Sequence, residues 1–184
     1  MIDYNLESEL TTSLSSGEKL LWTGKPKKGI IFRTSDIFFI PFSILWGGFA
    51  IFWEKSAIGG GAPALFGLFG IPFVLAGLYM IFGRFFVDAI KRANTVYGIT
   101  QDRIIIKSGI IGNSIISLNI KTLQDIVFNQ KGDNTGTITF GAFNFPYNMM
   151  QGFEWPGVKQ PPRLELIEDV KSVYDQIIEL QRAK

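Results

Sequence analysis

The hydrophobic pattern is dominated by two long apolar runs, Ile37 to Trp53 and Ala62 to Gly83, parted by a short break that carries Glu54, Lys55 and Gly59-Gly60-Gly61. Neither run contains a formal charge, and they are 17 and 22 residues long. At about 1.5 Å per helical residue they reach roughly 26 and 33 Å, against a bilayer hydrocarbon core of roughly 30 Å. The pattern predicts a membrane-spanning helical hairpin over 36–84, with Pro41 and Pro72 as kinks and the glycines as its turn. Ser43 with Gly47, and Gly70 with Gly77, are small residues at spacings that let two helices approach. Upstream, Leu6, Leu10 and Leu14 at helical spacing predict a short, frayed helix, and Leu20-Leu21-Trp22 a strand-like segment closed by Gly24 and Pro26.

Beyond Arg84 the second helix is expected to continue to about Ala93, after which the period changes to that of strands. Thr95–Thr100 and Arg103–Lys107 flank a Gln101-Asp102 turn, and Ser114–Leu118 is a third strand. Leu123–Gln130 and Gly136–Phe140 read as a β-hairpin in which Ile126 and Phe128 face Ile138 and Phe140. From Leu164 onward, Leu166, Val170, Val173, Ile177 and Leu180 form a helical stripe, with Glu165, Glu168 and Asp169 in its first turns. The organisation expected is an N-terminal segment 1–35, a hairpin 36–84 and a domain 85–184.

Composition sharpens this picture. The chain is 47% hydrophobic and only 18% charged, and the charge deficit lies in the hairpin. A net charge of +2 without a basic-aromatic stripe argues against nucleic acid. Lys19, Lys25, Lys27, Lys28 and Arg33 precede the first run and Arg84, Lys91 and Arg92 follow the second, so the positive-inside rule puts both termini in the cytoplasm. Cysteine and histidine are both absent, which removes disulfides, Cys-His and Ser-His-Asp nucleophile systems and the usual zinc sites. The glycine-rich turn lacks the Lys-Ser/Thr of a phosphate loop, and the acidic Glu165/Glu168/Asp169 group has the spacing of a solvated helix start. No enzyme activity and no cofactor are expected.

Four blocks resemble one family, the bacterial pleckstrin-homology-like membrane proteins. They are Glu18-x-x-x-Trp22-x-Gly24-x-Pro26; Tyr97-Gly98-Ile99-Thr100-Gln101-Asp102-Arg103-Ile104; Gly132-Asp133 leading to Gly136-Thr137-Ile138; and Ile167-Glu168-Asp169-Val170 with Val173-Tyr174. The resemblance implies a membrane α+β protein: a two-helix transmembrane hairpin followed by a PH-like antiparallel β partial barrel capped by a C-terminal amphipathic helix. The loop around Gln101-Asp102-Arg103 is too short and too weakly basic to carry over phosphoinositide binding.

The function expected is a non-enzymatic scaffold at the bacterial inner (cytoplasmic) membrane, its PH-like domain binding a protein or further copies of itself. The alternatives are a module sensing anionic lipid or the state of the membrane, and a small oligomeric channel. Trp22, Lys27, Lys28, Arg33, Trp53, Arg84, Lys91 and Arg92 are the expected membrane-interface or lipid-headgroup residues. Phe143, Phe145, Tyr147, Phe153 and Trp155 form a candidate interaction patch. Membrane lipids and a homo-oligomer are the expected partners, beside a protein partner of unknown identity.

Overall fold

The two uncharged runs fold as helices, which pair most of their backbone groups internally. In the computed structural model, which describes residues 4–33, 35–61, 63–110, 112–141 and 161–183, they are α2 (Asp36–Gly59) and α3 (Ala64–Leu78), preceded by α1 (Tyr4–Thr11) and β1 (Trp22–Gly24). A π-helical turn at Tyr79–Gly83 leads into α4 (Arg84–Ala93). Then come β2 (Val96–Ile99), β3 (Arg103–Ser108), β4 (Ser114–Asn119), β5 (Ile126–Gln130), β6 (Gly136–Phe140), β7 (Arg163–Ile167) and α5 (Val170–Arg182). The described residues form two compact units, 30–88 and the remainder.

In the hairpin unit the small residues make the helix contact. Ser43, Gly47 and Ala50 of α2 and Gly70 and Gly77 of α3 are buried. A Cβ added at Gly77 would lie 2.8 Å from the Gly47 Cα, so the backbones touch and any side chain there would force them apart. The helix α2 runs past the expected end at Trp53, carrying Glu54 and Lys55 in its last turns and not in a connecting break. The Glu54 carboxylate lies against Gly67 and Gly70. Two helical stretches, Asp36–Gly59 and Gly67–Ala93, are long and apolar enough to cross a membrane, and only 22% of each is buried within the chain. Most of their apolar surface is therefore left uncovered by the described residues.

In the second unit β1-β2-β3-β4 form one antiparallel sheet and β5-β6-β7 another. Alternation along the strands sorts the side chains. Tyr97, Ile99, Ile104 and Ile106 face a core completed by Ile138, Phe140, Leu164, Ile167 and the α5 residues Val170, Val173 and Ile177. Val96 and Ile105 point to the opposite face, where Leu6, Leu10 and Leu20 cover them. Helix α1 is thus packed and not frayed: Leu10 is fully buried, and Gly98 gives it room, since a Cβ there would sit 2.8 Å from both Leu10 and Leu20. Strand β1 extends the sheet by pairing Trp22 with Ile99 and Gly24 with Tyr97. The Trp22 ring lies over Gly24, filling the space a Cβ would need.

The expected helix from Leu164 begins later. Arg163–Ile167 is strand β7, with Leu164 and Ile167 in the core, and only Val170 onward is helical. Leucines at 164 and 166 satisfy both periods; the strand wins because β6 offers a free edge. At the register shift between β6 and β7, Leu166 takes a left-handed φ of +48°. Its N–H donates to Thr137 Oγ1, its carbonyl accepts from Lys27 N–H, and the neighbouring Glu165 N–H donates to the buried Tyr97 hydroxyl. These bonds satisfy the backbone where the regular ladder fails.

Candidate functional site: the charged flanks of the hairpin

Within the hairpin unit, Arg33 and Arg84 converge with two acidic residues. Asp36 stands in the first turn of α2, where a carboxylate suits the helix dipole, and Arg84 and Asp88 share one face of α4 at i,i+4 spacing. Arg84 Nη1 lies 2.7 Å from Asp36 Oδ1, and Arg33 Nη2 3.0 Å from Asp88 Oδ1. Arg33 N–H also donates to Asp36 Oδ2 at 2.7 Å. Arg84, Asp36 and Asp88 are buried. The Arg84 guanidinium stacks over Phe85, 4.4 Å from the ring centroid, and Phe85 packs on Phe32. Two positive and two negative charges cancel, so this cluster ties the residues entering the hairpin to those leaving it. The expectation that Arg84 faces headgroups meets a physical obstacle, because its side chain is buried and one nitrogen is engaged by Asp36.

The remaining basic residues are divided. Arg92 is also buried and donates to the Lys27 and Gly29 carbonyls, 2.8 Å each, bracing residues 27–29 from inside the unit. Lys27 pairs with Asp133 at 3.1 Å on the surface. The Asp133 carboxyl is held down to about 2, first by the Thr135 hydroxyl and then by Lys27. Lys28 is exposed and Lys91 half-buried. Trp22 is half-buried against the sheet core, and Trp53 lies near the opposite end of α2 beside Gly70. The structure therefore joins Arg33 with Arg84, and Lys27 with Arg92, and leaves Trp53 apart. The proposed aromatic patch, Phe143, Phe145, Tyr147, Phe153 and Trp155, lies outside the described residues.

Sequence reasoning missed the acidic partners Asp36 and Asp88. Their signal was available: each lies within four residues of a flanking arginine. It also missed the pair that joins the first two sequence blocks. Arg103 donates from Nε and Nη2 to the two Glu18 oxygens at 2.8 and 2.6 Å, and from Nη2 to the Ser13 carbonyl. This double hydrogen bond drops the Glu18 carboxyl to about 2 and raises the Arg103 guanidinium. Of the acidic trio, Glu165 is on β7 and salt-bridged to Arg163, apart from the exposed Glu168 and Asp169. Among the described residues no group of three acidic side chains has metal-ligand geometry.

A family model described as bacterial PH domain matches residues 59–180, about two thirds of the chain. The chain belongs to the bacterial PH domain family. The match begins at the end of α2, so α1 and β1, which complete the first sheet and cover its outer face, lie upstream of the matched residues. No curated protein and no solved structure matches the chain. A PH-like domain is a binding or interaction module, and no enzyme family is found.

Proposed function

We propose that this bacterial PH domain protein is a membrane-anchored, non-enzymatic scaffold. Its hairpin crosses the inner membrane, and its PH-like partial barrel, capped by α5, holds a protein partner or another copy on the cytoplasmic side. The observation that carries the reading is the pairing of β1 with β2. These strands flank the hairpin in sequence, so the chain enters and leaves it on one side, as an even number of crossings requires. The largely uncovered apolar faces of both helices supply the reason to insert, and the excess of lysine and arginine on the flanks favours the cytoplasm. Anionic-lipid sensing is the weaker reading, because Arg33, Arg84 and Arg92 already bind acceptors within the chain.

The absence of cysteine makes topology directly measurable. Single-cysteine variants Gly60→Cys and Gln181→Cys, in intact cells, are treated with a membrane-impermeant maleimide. The expected result is labelling of Gly60→Cys from outside and of Gln181→Cys only after lysis, with both proteins resisting alkaline carbonate extraction. Labelling of both from outside, or extraction into the soluble fraction, refutes the reading.

A further inference from the structure

Strand β4 is the outer strand of its sheet, with no strand on its far side among the described residues. Such an edge leaves a row of backbone N–H and C=O groups free and is normally shortened, charged, bulged or interrupted by proline. None of these devices is present: Ser114-Ile115-Ile116-Ser117-Leu118-Asn119 is uncharged and in unbroken register with β3. Ile115 and Ile116, which point to opposite faces, are 51% and 39% exposed. The other edges differ. Strand β1 is three residues long, β7 carries Arg163 and Glu165, and β5 has Ile126 and Phe128 half-buried, with Phe128 stacked on Tyr174 of α5.

We infer that β4 pairs antiparallel with β4 of a second copy, merging the two four-stranded sheets into one. This deepens the scaffold reading and rests on it for the confinement of copies to one bilayer. A two-fold axis normal to the sheet keeps both α1-covered faces on the same side, and it must then lie midway between the two copies of one residue, because opposed residues share a face. Centred on Ser117, it sets Ile116 opposite Leu118, Ile115 opposite Asn119 and Ser117 opposite itself. The Ile116–Leu118 pairs extend the apolar row of Ile104 and Ile106, their neighbours on β3. Strand β4 itself carries no charge, and the Arg103 that donates to each Ser117 hydroxyl at 3.3 Å is neutralised by Glu18 of its own copy. The strand is thus complementary to itself, which is the reason to assign a second copy and not a foreign peptide. A strand edge alone buries less than the roughly 1,200 Å² of a standing soluble complex, so pairing depends on confinement.

The test is oxidative cross-linking of full-length single-cysteine variants in membrane vesicles. Directly opposed strand residues have Cα atoms about 4.5–5.5 Å apart, within disulfide range. Ser117→Cys should form a disulfide-linked dimer several-fold faster than Ile115→Cys, whose own copy is displaced by about 13 Å along the strand, and faster than Asn129→Cys on β5. Co-expressed Ile115→Cys and Asn119→Cys should link to each other. Adding Ile116→Lys to Ser117→Cys should abolish the dimer. Ser117→Cys no faster than Asn129→Cys, or cross-linked only to other proteins, overturns the inference; if the vesicles retain the protein, the anchoring reading survives that failure. Recovery in the soluble fraction removes the confinement that pairing depends on, and so overturns the anchoring reading and this inference together.

Discussion

Replacing Glu18 by Gln should loosen the N-terminal segment at neutral pH and have no effect in strong acid. The Glu18 carboxylate accepts two hydrogen bonds from Arg103 and one from Ser15 N–H. Arg103 in turn holds the Ser13 carbonyl, so the pair fastens the link between α1 and β1 to β3. A fall from an ordinary 4.5 to about 2, at about 1.36 kcal/mol per pH unit, sets a ceiling near 3 kcal/mol. Arg103 is 27% exposed and Glu18 12%, and partial solvent screening brings the expected cost of the substitution to about 1–2 kcal/mol. A carboxyl whose folded value is depressed stabilises fully above the unfolded value, near pH 4.5, and that contribution disappears as the pH falls toward 2. The assay is urea unfolding of the full-length protein in mild detergent, with Trp46, Trp53 and Trp155 replaced by Phe so that Trp22 reports. Parent and Glu18→Gln should differ at pH 7 and converge near pH 2. Asp133 titrates in the same window in both proteins and drops out of the difference. An unchanged midpoint at pH 7, or a gap that persists undiminished at pH 2, refutes the reasoning.

Trp22→Ala should cost about 2–3 kcal/mol in the corresponding circular-dichroism unfolding experiment, below the range for a fully buried tryptophan because the ring is only half-buried. Gly77→Leu should separate α2 from α3 and lower the yield of monodisperse protein in detergent, whereas Gly48→Leu, at an open position, should not. Arg92→Ala releases the carbonyls of Lys27 and Gly29, and trypsin cleavage after Lys27 and Lys28 should rise several-fold over the parent. Asp36→Ala leaves Arg84 buried without its carboxylate and should cost about 3–5 kcal/mol. The exchange Asp36→Arg with Arg84→Asp should recover part of that loss, read as the amount of full-length protein retained in membranes.

Much of the fold was legible because periodicity and burial agreed. The β5–β6 hairpin carries Ile126 opposite Phe140 and Phe128 opposite Ile138, as alternation predicted, and helix α4 continues from the second apolar run as its charge pattern required. The reading failed where one residue set served two periods. Leu164 and Leu166 fit both a strand and the start of the α5 stripe, and only the β6 edge, a non-local feature, decides between them. Leu6 and Leu10 looked like a weak amphipathic helix because the surface that buries them, Val96 and Ile105, lies about ninety residues away. The candidate site was half legible for the same reason. A positive excess identifies Arg33, Arg84 and Arg92 as flanking residues, but whether an arginine meets headgroups or a neighbouring aspartate is set by burial, which composition does not encode.

The ion-pair cluster bears on how the first sheet closes. Strand β1 is three residues long and pairs with β2 across the whole hairpin, roughly seventy residues of intervening chain. Closing a flexible loop costs free energy that grows as about (3/2)RT ln n, and three strand pairs alone are a small return against it. The pairs Arg84–Asp36 and Arg33–Asp88 join the entering and leaving chain between the hairpin and the two strands. The free chain between β1 and β2 is thereby reduced to the short links 25–33 and 88–95, lowering the closure cost by about 1 kcal/mol on the same relation. Arg92, by gripping the Lys27 and Gly29 carbonyls, takes up most of what remains. The buried arginines on the hairpin flanks therefore have a role that does not require a ligand: they make an interrupted sheet edge behave as if its first two strands were neighbours in sequence.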